Sequence, residues 1–388
     1  MNSFQKGNFL STSPSSLLLA SSLLLVGLGC VMIYSTTAHL SLNSSVPPHL
    51  SRHGLGIVFG LLAGLTLAYL PIRTLKVFIP LLFAVGIIAL GAVLLIGIKV
   101  NGAQRWLHLP GLGVVQPGEL AKLSTVLFVS YITTRQGDNQ GMTRRQALLS
   151  LTVGALPIGL LVLQPDFGNA VLLGILVVTL LFSSGAPLRW LLLPGTIGAT
   201  FAVIFISLNQ YALDRLTGFL DPWGQARDQG FQLIQSFIAF ARGGTFGVGL
   251  GYGRQKLHYL PEAHTDFILS VVAEELGLLG VLAVLLAFSM ILIAGVKVAL
   301  NCRDRFTSLL AFGLTLLVVV PALVNAAVVM GALPTKGLSL PFLSYGRSSL
   351  IASCGAIGLV WGLARKTEKD SRYISRPSTI QQQSWHSR

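Results

Sequence analysis

The residues able to do chemistry crowd into one stretch, Lys256 to Gly280. It sets Lys256, His258, Glu262, His264 and Asp266 within eleven residues, directly before a long apolar run. A carboxylate at the mouth of an apolar segment, flanked by a second carboxylate, two imidazoles and an ammonium, suits proton transfer. General acid–base catalysis needs a positioned group whose pKa its surroundings can move. Asp266 is the candidate base. Two histidines and two carboxylates raise the question of zinc, but their spacing matches none of the usual zinc patterns. A loosely held divalent ion, Mg2+ or Mn2+, on carboxylates and phosphates suits oxygen ligands better, and no organic cofactor is expected.

Four further motifs carry polar groups. Asn101 to Lys122 is rich in Gly and Pro and predicts a folded-back loop that leads into a helix. On that helix Glu119 and Lys122 are i and i+3 and share a face. A first-turn carboxylate paired with lysine is the plain alternative, but a lysine one turn into an apolar run points to a cavity. Arg105 and Trp106 suit either an interfacial anchor or a grip on a phosphate and sugar. Gln164-Pro165-Asp166-Phe167-Gly168 sets Asp166 at a helix start, as a cap or as a partner for Lys122. From Gln232 the helical spacing of Leu233, Phe237 and Phe240 predicts an amphipathic helix, followed by Arg242 and a glycine-rich stretch. Those glycines lack the ending of a nucleotide loop and predict backbone hugging a substrate or a neighbouring helix. Ala332 to Ser349 places Lys336 in a structured loop or broken helix.

These groups must be positioned by membrane helices. Of the 388 residues, 53% are hydrophobic and 10% charged, and the mean hydropathy is +0.73. Ten apolar runs, roughly 16–37, 54–70, 77–98, 119–134, 146–163, 168–184, 188–208, 267–296, 307–331 and 346–364, predict an all-α polytopic membrane protein with about ten transmembrane helices. The alternation of a β-barrel is absent. Residues 1–15 form an N-terminal segment, 16–365 the membrane domain with a long loop over 209–266, and 366–388 a disordered tail. The net charge of +14 is spread over short loops and the tail, which fits topology signals and lipid headgroups as partners and excludes nucleic acid. Cys30, Cys302 and Cys354 lack paired spacing and read as core residues.

Positive charge orients the chain. Lys6, Arg73, Lys76, Arg135, Arg144, Arg145, Arg189, Lys297, Arg303 and Arg305 fall on one side with the tail. Both termini are therefore expected in the cytoplasm and the 209–266 loop outside. Most of the thirteen acidic residues then map to the outer ends of spans or the outer loop. Glu274 and Glu275, deeper in the eighth span, stand apart. The extracytoplasmic face is the expected working face.

Four strings in order, Gln116-Pro117-Gly118-Glu119-Leu120-Ala121-Lys122, Gln164-Pro165-Asp166-Phe167-Gly168, Pro261-Glu262-Ala263-His264-Thr265-Asp266-Phe267-Ile268 and Leu333-Pro334-Thr335-Lys336-Gly337, resemble the SEDS family of shape, elongation, division and sporulation proteins. The third and fourth look more like its division branch than its elongation branch. Gly118 stands where serine is frequent, and Arg347 where a second glycine is usual. The resemblance implies a glycosyltransferase that polymerises lipid II at the outer face of the cytoplasmic membrane, at the division septum. It also implies a class B penicillin-binding transpeptidase and other division proteins as partners. Asp266 would be the base, with Glu119, Lys122 and Asp166 shaping the pocket and Glu262 and His264 its approach. Arg105, Arg242, Lys256 and Lys336 are candidates for the diphosphate. A flippase for the lipid-linked precursor remains open because of Glu274 and Glu275, as does a non-catalytic scaffold.

Overall fold

A computed structural model describes residues 13–38, 47–100, 103–109, 113–135, 142–208 and 210–374. The expected N-terminal segment up to residue 12 and the tail beyond 374 lie outside the described residues.

Each of the ten apolar runs is a helix: α1 (Pro14–Thr37), α2 (Pro48–Tyr69), α3 (Ile72–Ile96), α4 (Pro117–Thr133), α5 (Arg144–Leu163), α6 (Phe167–Ser183), α7 (Leu188–Leu208), α10 (Ile268–Asn301), α11 (Arg305–Val329) and α12 (Arg347–Ile374). Among the described residues, seven are long and apolar enough to cross a membrane by length and composition: α1, α2, α3, α5, α10, α11 and α12. The core sits around α11, 67% of whose most apolar window is enclosed, against 22% for α2. Leu310, Leu314 and Val318 of α11 and Val284, Phe288 and Ile291 of α10 are fully buried. The outward faces of α2 and α3 expose Leu55, Val58, Phe59, Leu62, Val77, Leu81 and Ile88, a surface that lipid and not water solvates.

Glycine decides how closely α2 and α12 approach. Gly56, Gly60 and Gly64 line one face of α2 at a four-residue spacing. A Cβ on Gly64 would lie 2.8 Å from the Cys354 carbonyl oxygen, and one on Gly358 only 2.1 Å from that of Gly64. Backbone meets backbone, the small-residue packing that replaces the hydrophobic effect inside a bilayer. Gly358→Leu is therefore expected to lower the melting temperature of the detergent-purified protein, since backbone overpacking costs about 1–3 kcal/mol or more. Gly91→Leu, where nothing lies within 4 Å, should melt like the parent.

The connections hold more structure than the sequence predicts. Between α3 and α4 the expected folded-back loop is a small antiparallel sheet, β1 (Ile98–Val100), β2 (Ala103–Leu109) and β3 (Gly113–Val115) in that order, with Ile98 opposite Trp106 and Leu107 opposite Val115. The long loop contains α8 (Gln210–Leu220), α9 (Phe231–Gly243) and a π-helical turn over Gln255–Tyr259. The amphipathic helix stands as expected in α9, which buries Leu233, Ile234 and Ala239 and bonds Ser236 to Ser270 and to the Val329 carbonyl. At the far end, α12 continues past Arg365 to Ile374, so residues 366–374 are helix where a disordered tail was expected. Glu368 accepts from the backbone N–H and the hydroxyl of Ser15 at 2.9 and 2.7 Å. A carboxylate at the N-terminus of α1 satisfies an N–H left free by the helix.

The eighth span departs most from an ideal helix. α10 breaks at Gly277, whose φ of +68° and ψ of −165° leave the helical region. The break orphans backbone groups on both sides, and the glycine-rich loop after α9 takes them up. Val248 and Gly249 donate to the carbonyls of Glu274 and Glu275 at 2.9 and 3.1 Å, while Leu278 and Leu279 donate to those of Gly244 and Thr245 at 2.9 and 3.3 Å. A Cβ on Gly277 would lie 2.4 Å from the Gly247 nitrogen. The glycines thus hug a neighbouring helix.

Candidate functional site

Three helix starts converge at one end of the bundle. Glu119 lies in the first turn of α4, Asp166 directly precedes α6, and Asp266 lies two residues before α10. The first two belong to one polar chain. Lys122 Nζ donates to Glu119 Oε1 and to Asn169 Oδ1, both at 2.8 Å. Asn169 Nδ2 in turn donates to Asp166 Oδ2 at 2.8 Å. Arg105, delivered by β2, donates to the Pro165 carbonyl and stands 3.9 Å from Asp166. Asp166 makes no side-chain cap bond, so it serves this network and not its own helix. Lys122, Asp166 and Asn169 are buried, where a satisfied polar network is rigid.

This chain borders a cleft. Glu119, Lys122 and Asn169 line it together with Gly337, Leu338 and Ser339, and its volume is about 30 Å³.

Asp266 stands next to Gly337, which lines the cleft. A Cβ there would lie 2.8 Å from Asp266 Oδ2, so a glycine lets the carboxylate sit against this segment. Asn325 Nδ2 of α11 donates to the carbonyls of both Asp266 and Leu338 at 2.7 Å, joining the two strands of chain. Ser344 donates to the Thr265 carbonyl at 2.6 Å, and the Tyr345 N–H to that of His264 at 2.9 Å. Burial first, then the negative charge of Glu262, pushes the Asp266 carboxyl up to about 7, with Arg215 and Arg105 opposing and Asp166 adding to the rise. Near neutrality such a group can both hold and release a proton.

The other expected residues divide. Glu262 is exposed and accepts from Thr265 Oγ1 at 2.7 Å. The His264 ring meets those of His49 and Tyr345 at 5.6 and 5.7 Å, and burial lowers its pKa. The His258 side chain lies outside the described residues. Lys336 is half-buried, and among the described residues its ammonium has no hydrogen-bond or ion-pair partner. Burial and the nearby Arg215 lower its pKa.

Lys256 and Arg242, expected on the diphosphate, are committed elsewhere. Lys256 Nζ donates to Glu275 Oε1 at 2.6 Å, Ser35 Oγ at 2.7 Å and the Gly251 carbonyl at 2.8 Å, which uses its three protons. Arg242 pairs with Glu274 at 3.1 Å. The two deep carboxylates that stood apart in the sequence thus pin the loop into the break of α10. Glu274 also accepts from the Arg254 and Gln255 N–H groups at 2.9 and 3.1 Å.

Asn169, Arg215 and Asn325 join the site without having been expected. Asn169 sits one turn beyond Asp166, and that spacing is a readable signal. Asn325 interrupts an apolar run, which is another. Arg215 has no local signal for its bond to the Thr335 carbonyl, which lies 120 residues away in the chain and accepts at 3.3 Å. Among the described residues no group of three His, Cys, Asp or Glu side chains is arranged to hold a metal ion.

Comparison with known proteins supplies a frame for this geometry. The cell cycle protein family named for FtsW, RodA and SpoVE matches residues 15–369. A protein of Methylomonas methanica named probable peptidoglycan glycosyltransferase FtsW is 39% identical over 356 residues, 89% of this chain and 90% of that one. A solved chain described under "structural coordination of polymerization and crosslinking by a peptidoglycan synthase complex" superposes with a TM-score of 0.74 at 31% identity, covering 91% of this chain and 98% of its own. The crystal structure of the rod shape determining protein RodA of Thermus thermophilus gives 0.67 at 27% identity, over 93% and 99%. The helical membrane fold is therefore that of a known group: the chain belongs to the FtsW, RodA and SpoVE family of cell cycle proteins, the SEDS proteins.

Proposed function

We propose that this chain is a peptidoglycan glycosyltransferase that polymerises lipid II at the outer face of the cytoplasmic membrane, and that it serves the division septum. The observation that carries the reading is Asp266, its carboxyl raised to about 7, set against Gly337 at the edge of the cleft that Glu119 and Lys122 line. The basic residues of the opposite loops support an outward-facing cleft, and the FtsW names of relatives support division over elongation.

In the reaction a sugar 4-hydroxyl attacks the anomeric carbon of a second lipid-linked sugar. The new C–O bond forms as the bond to the diphosphate breaks, with inversion. Asp266 takes the hydroxyl proton, and cations meet the charge that develops on the leaving diphosphate. Glu119, Lys122 and Asp166 hold the cleft's shape. Asp266 would be the cleft-side carboxylate to hold a Mg2+ or Mn2+ ion, which would supply added positive charge to the departing diphosphate. A class B penicillin-binding transpeptidase is the proposed partner, which the likeness to a chain of a peptidoglycan synthase complex supports. The flippase alternative leaned on Glu274 and Glu275, and both are taken up by Arg242 and Lys256.

Purified protein, with and without its transpeptidase partner, is to be given lipid II and the products separated by size. Glycan strands are expected, and their absence in both conditions overturns the reading. Glu119→Ala should cut the rate about tenfold or more, because Lys122 is left buried without its carboxylate. An unchanged rate would return Glu119 to a role in its own helix end.

A further inference from the structure

The first turns of α2 gather basic side chains on the bundle's lipid-facing side. This end of α2 is fixed by rings, since His49 meets His264 at 5.6 Å and Tyr345 at 5.2 Å. Two turns on, Gly56 makes room for the side chain of Arg347, whose Cγ would lie 3.1 Å from a Cβ there. The guanidinium runs on to the small sheet, where a Cβ on Gly113 would lie 2.7 Å from Nη2. Arg347 is thus threaded, half-buried, between α2 and β3. Arg52 lies four residues before Gly56, on the same face of α2, and is exposed. The ion pairs among the described residues include neither arginine. Beside Arg52, His53 is fully buried, and neither of its ring nitrogens has a hydrogen-bond partner among the described residues. Directly below Arg52, at i+3 and i+7, Leu55 and Phe59 are exposed, and Leu62 continues the strip.

We propose that Arg52 and Arg347 hold the phosphate of an anionic phospholipid whose acyl chains lie along Leu55, Phe59 and Leu62 of α2. This inference does not rest on the glycosyltransferase reading. The occupant follows from what adjoins the cations. A water-borne anion has no use for the apolar strip, whereas a phospholipid needs both parts at this spacing. Arg52 is about 6 Å below the start of α2, the level at which headgroups meet the ends of spans. Two guanidinium forks suit phosphate oxygens, and a headgroup with its own ammonium would bring a third cation to them. A filled site would tie α2, α12 and β3 together at one corner. Ser348, next to Arg347, accepts from the Gln116 N–H at 2.9 Å, so the same corner fixes where α4 begins.

The test follows lipid retention by native mass spectrometry and melting temperature for the full chain in mild detergent. The probes are phosphatidylglycerol, phosphatidylcholine and glycerol 3-phosphate. The parent should retain phosphatidylglycerol about tenfold or more over phosphatidylcholine and melt higher with it. Arg52→Gln and Arg347→Gln should each lose about fivefold or more of that preference, the worth of one basic residue near a lipid surface. Both should melt like the parent in phosphatidylcholine. Arg254→Gln, an exposed arginine elsewhere, should change nothing. An unaltered preference in both Arg52→Gln and Arg347→Gln overturns the site. So does glycerol 3-phosphate raising the melting temperature as much as the lipid, which would mark a free-anion site. Displacement of phosphatidylglycerol by an equal amount of undecaprenyl diphosphate also overturns it, because the corner would then be part of the substrate's path.

Discussion

Asp266→Asn is expected to abolish detectable glycan synthesis from lipid II while the protein stays folded. A general base contributes about 10²–10⁴ in rate, and asparagine keeps the size and the backbone bond from Asn325 but accepts no proton. The pH profile provides a second reading. A base must be deprotonated, so the parent's rate should rise through a pH of about 7 and level off above it. The stability effect has the opposite sign. A carboxyl raised in the folded state stays protonated there while the unfolded chain has already lost its proton, so stability declines as pH rises from about 4 through about 7. Asn does not titrate. Asp266→Asn should therefore melt higher than the parent at pH 8, with the gap narrowing at pH 5 and closing toward pH 4. Full activity of the variant at pH 8 would remove Asp266 from the base role.

The second large effect concerns the pin of α10. Lys256→Met or Glu275→Gln alone leaves a buried charge or donor without its partner, a loss on the order of 3–5 kcal/mol. Each single variant should show a much lower melting temperature and little polymerisation. The double variant should recover part of both, because two neutral side chains replace two buried charges. Melting and rate for the four proteins form a cycle whose coupling term isolates the pair. If the double variant is as damaged as the sum of the singles, the pair does not hold the loop. The distinction matters for Lys256 in particular. A lysine that gripped substrate would lose activity without loss of stability, and Glu275→Gln would not be rescued by changing it.

Much of this could be read from the chain, for identifiable reasons. The ten helices were legible because each is a continuous apolar run, the one signal that lipid imposes strongly. The meeting of Asp266, Glu119 and Asp166 at one end of the bundle was legible because each stands at the start of an apolar run that enters the membrane from the same side. What escaped depends on partners distant in sequence. Lys256 looked free for substrate because Glu275 looked like a charge within a span, and only the fold unites them. The break at Gly277 was hidden inside an apolar stretch whose composition suits an unbroken helix. The strands β1 and β3 are three residues long, too short for any periodicity to show. Arg215 lacked a signal because what gives it meaning is a carbonyl near the other end of the chain.

The broken α10 also orders how the protein can be made. Ser35 and Lys256 both precede Glu275 in the chain, so two of the three members of the pin are synthesised before the third. When the segment 268–301 enters the bilayer, it brings two adjacent carboxylates into an apolar window, an expensive passenger. The loop that will neutralise them is already waiting, with Arg242 and Lys256 on either side of its glycines. Insertion of this helix and closure of the loop are thus one assembly step. The aspartate at its tip reaches its place only when that step is complete.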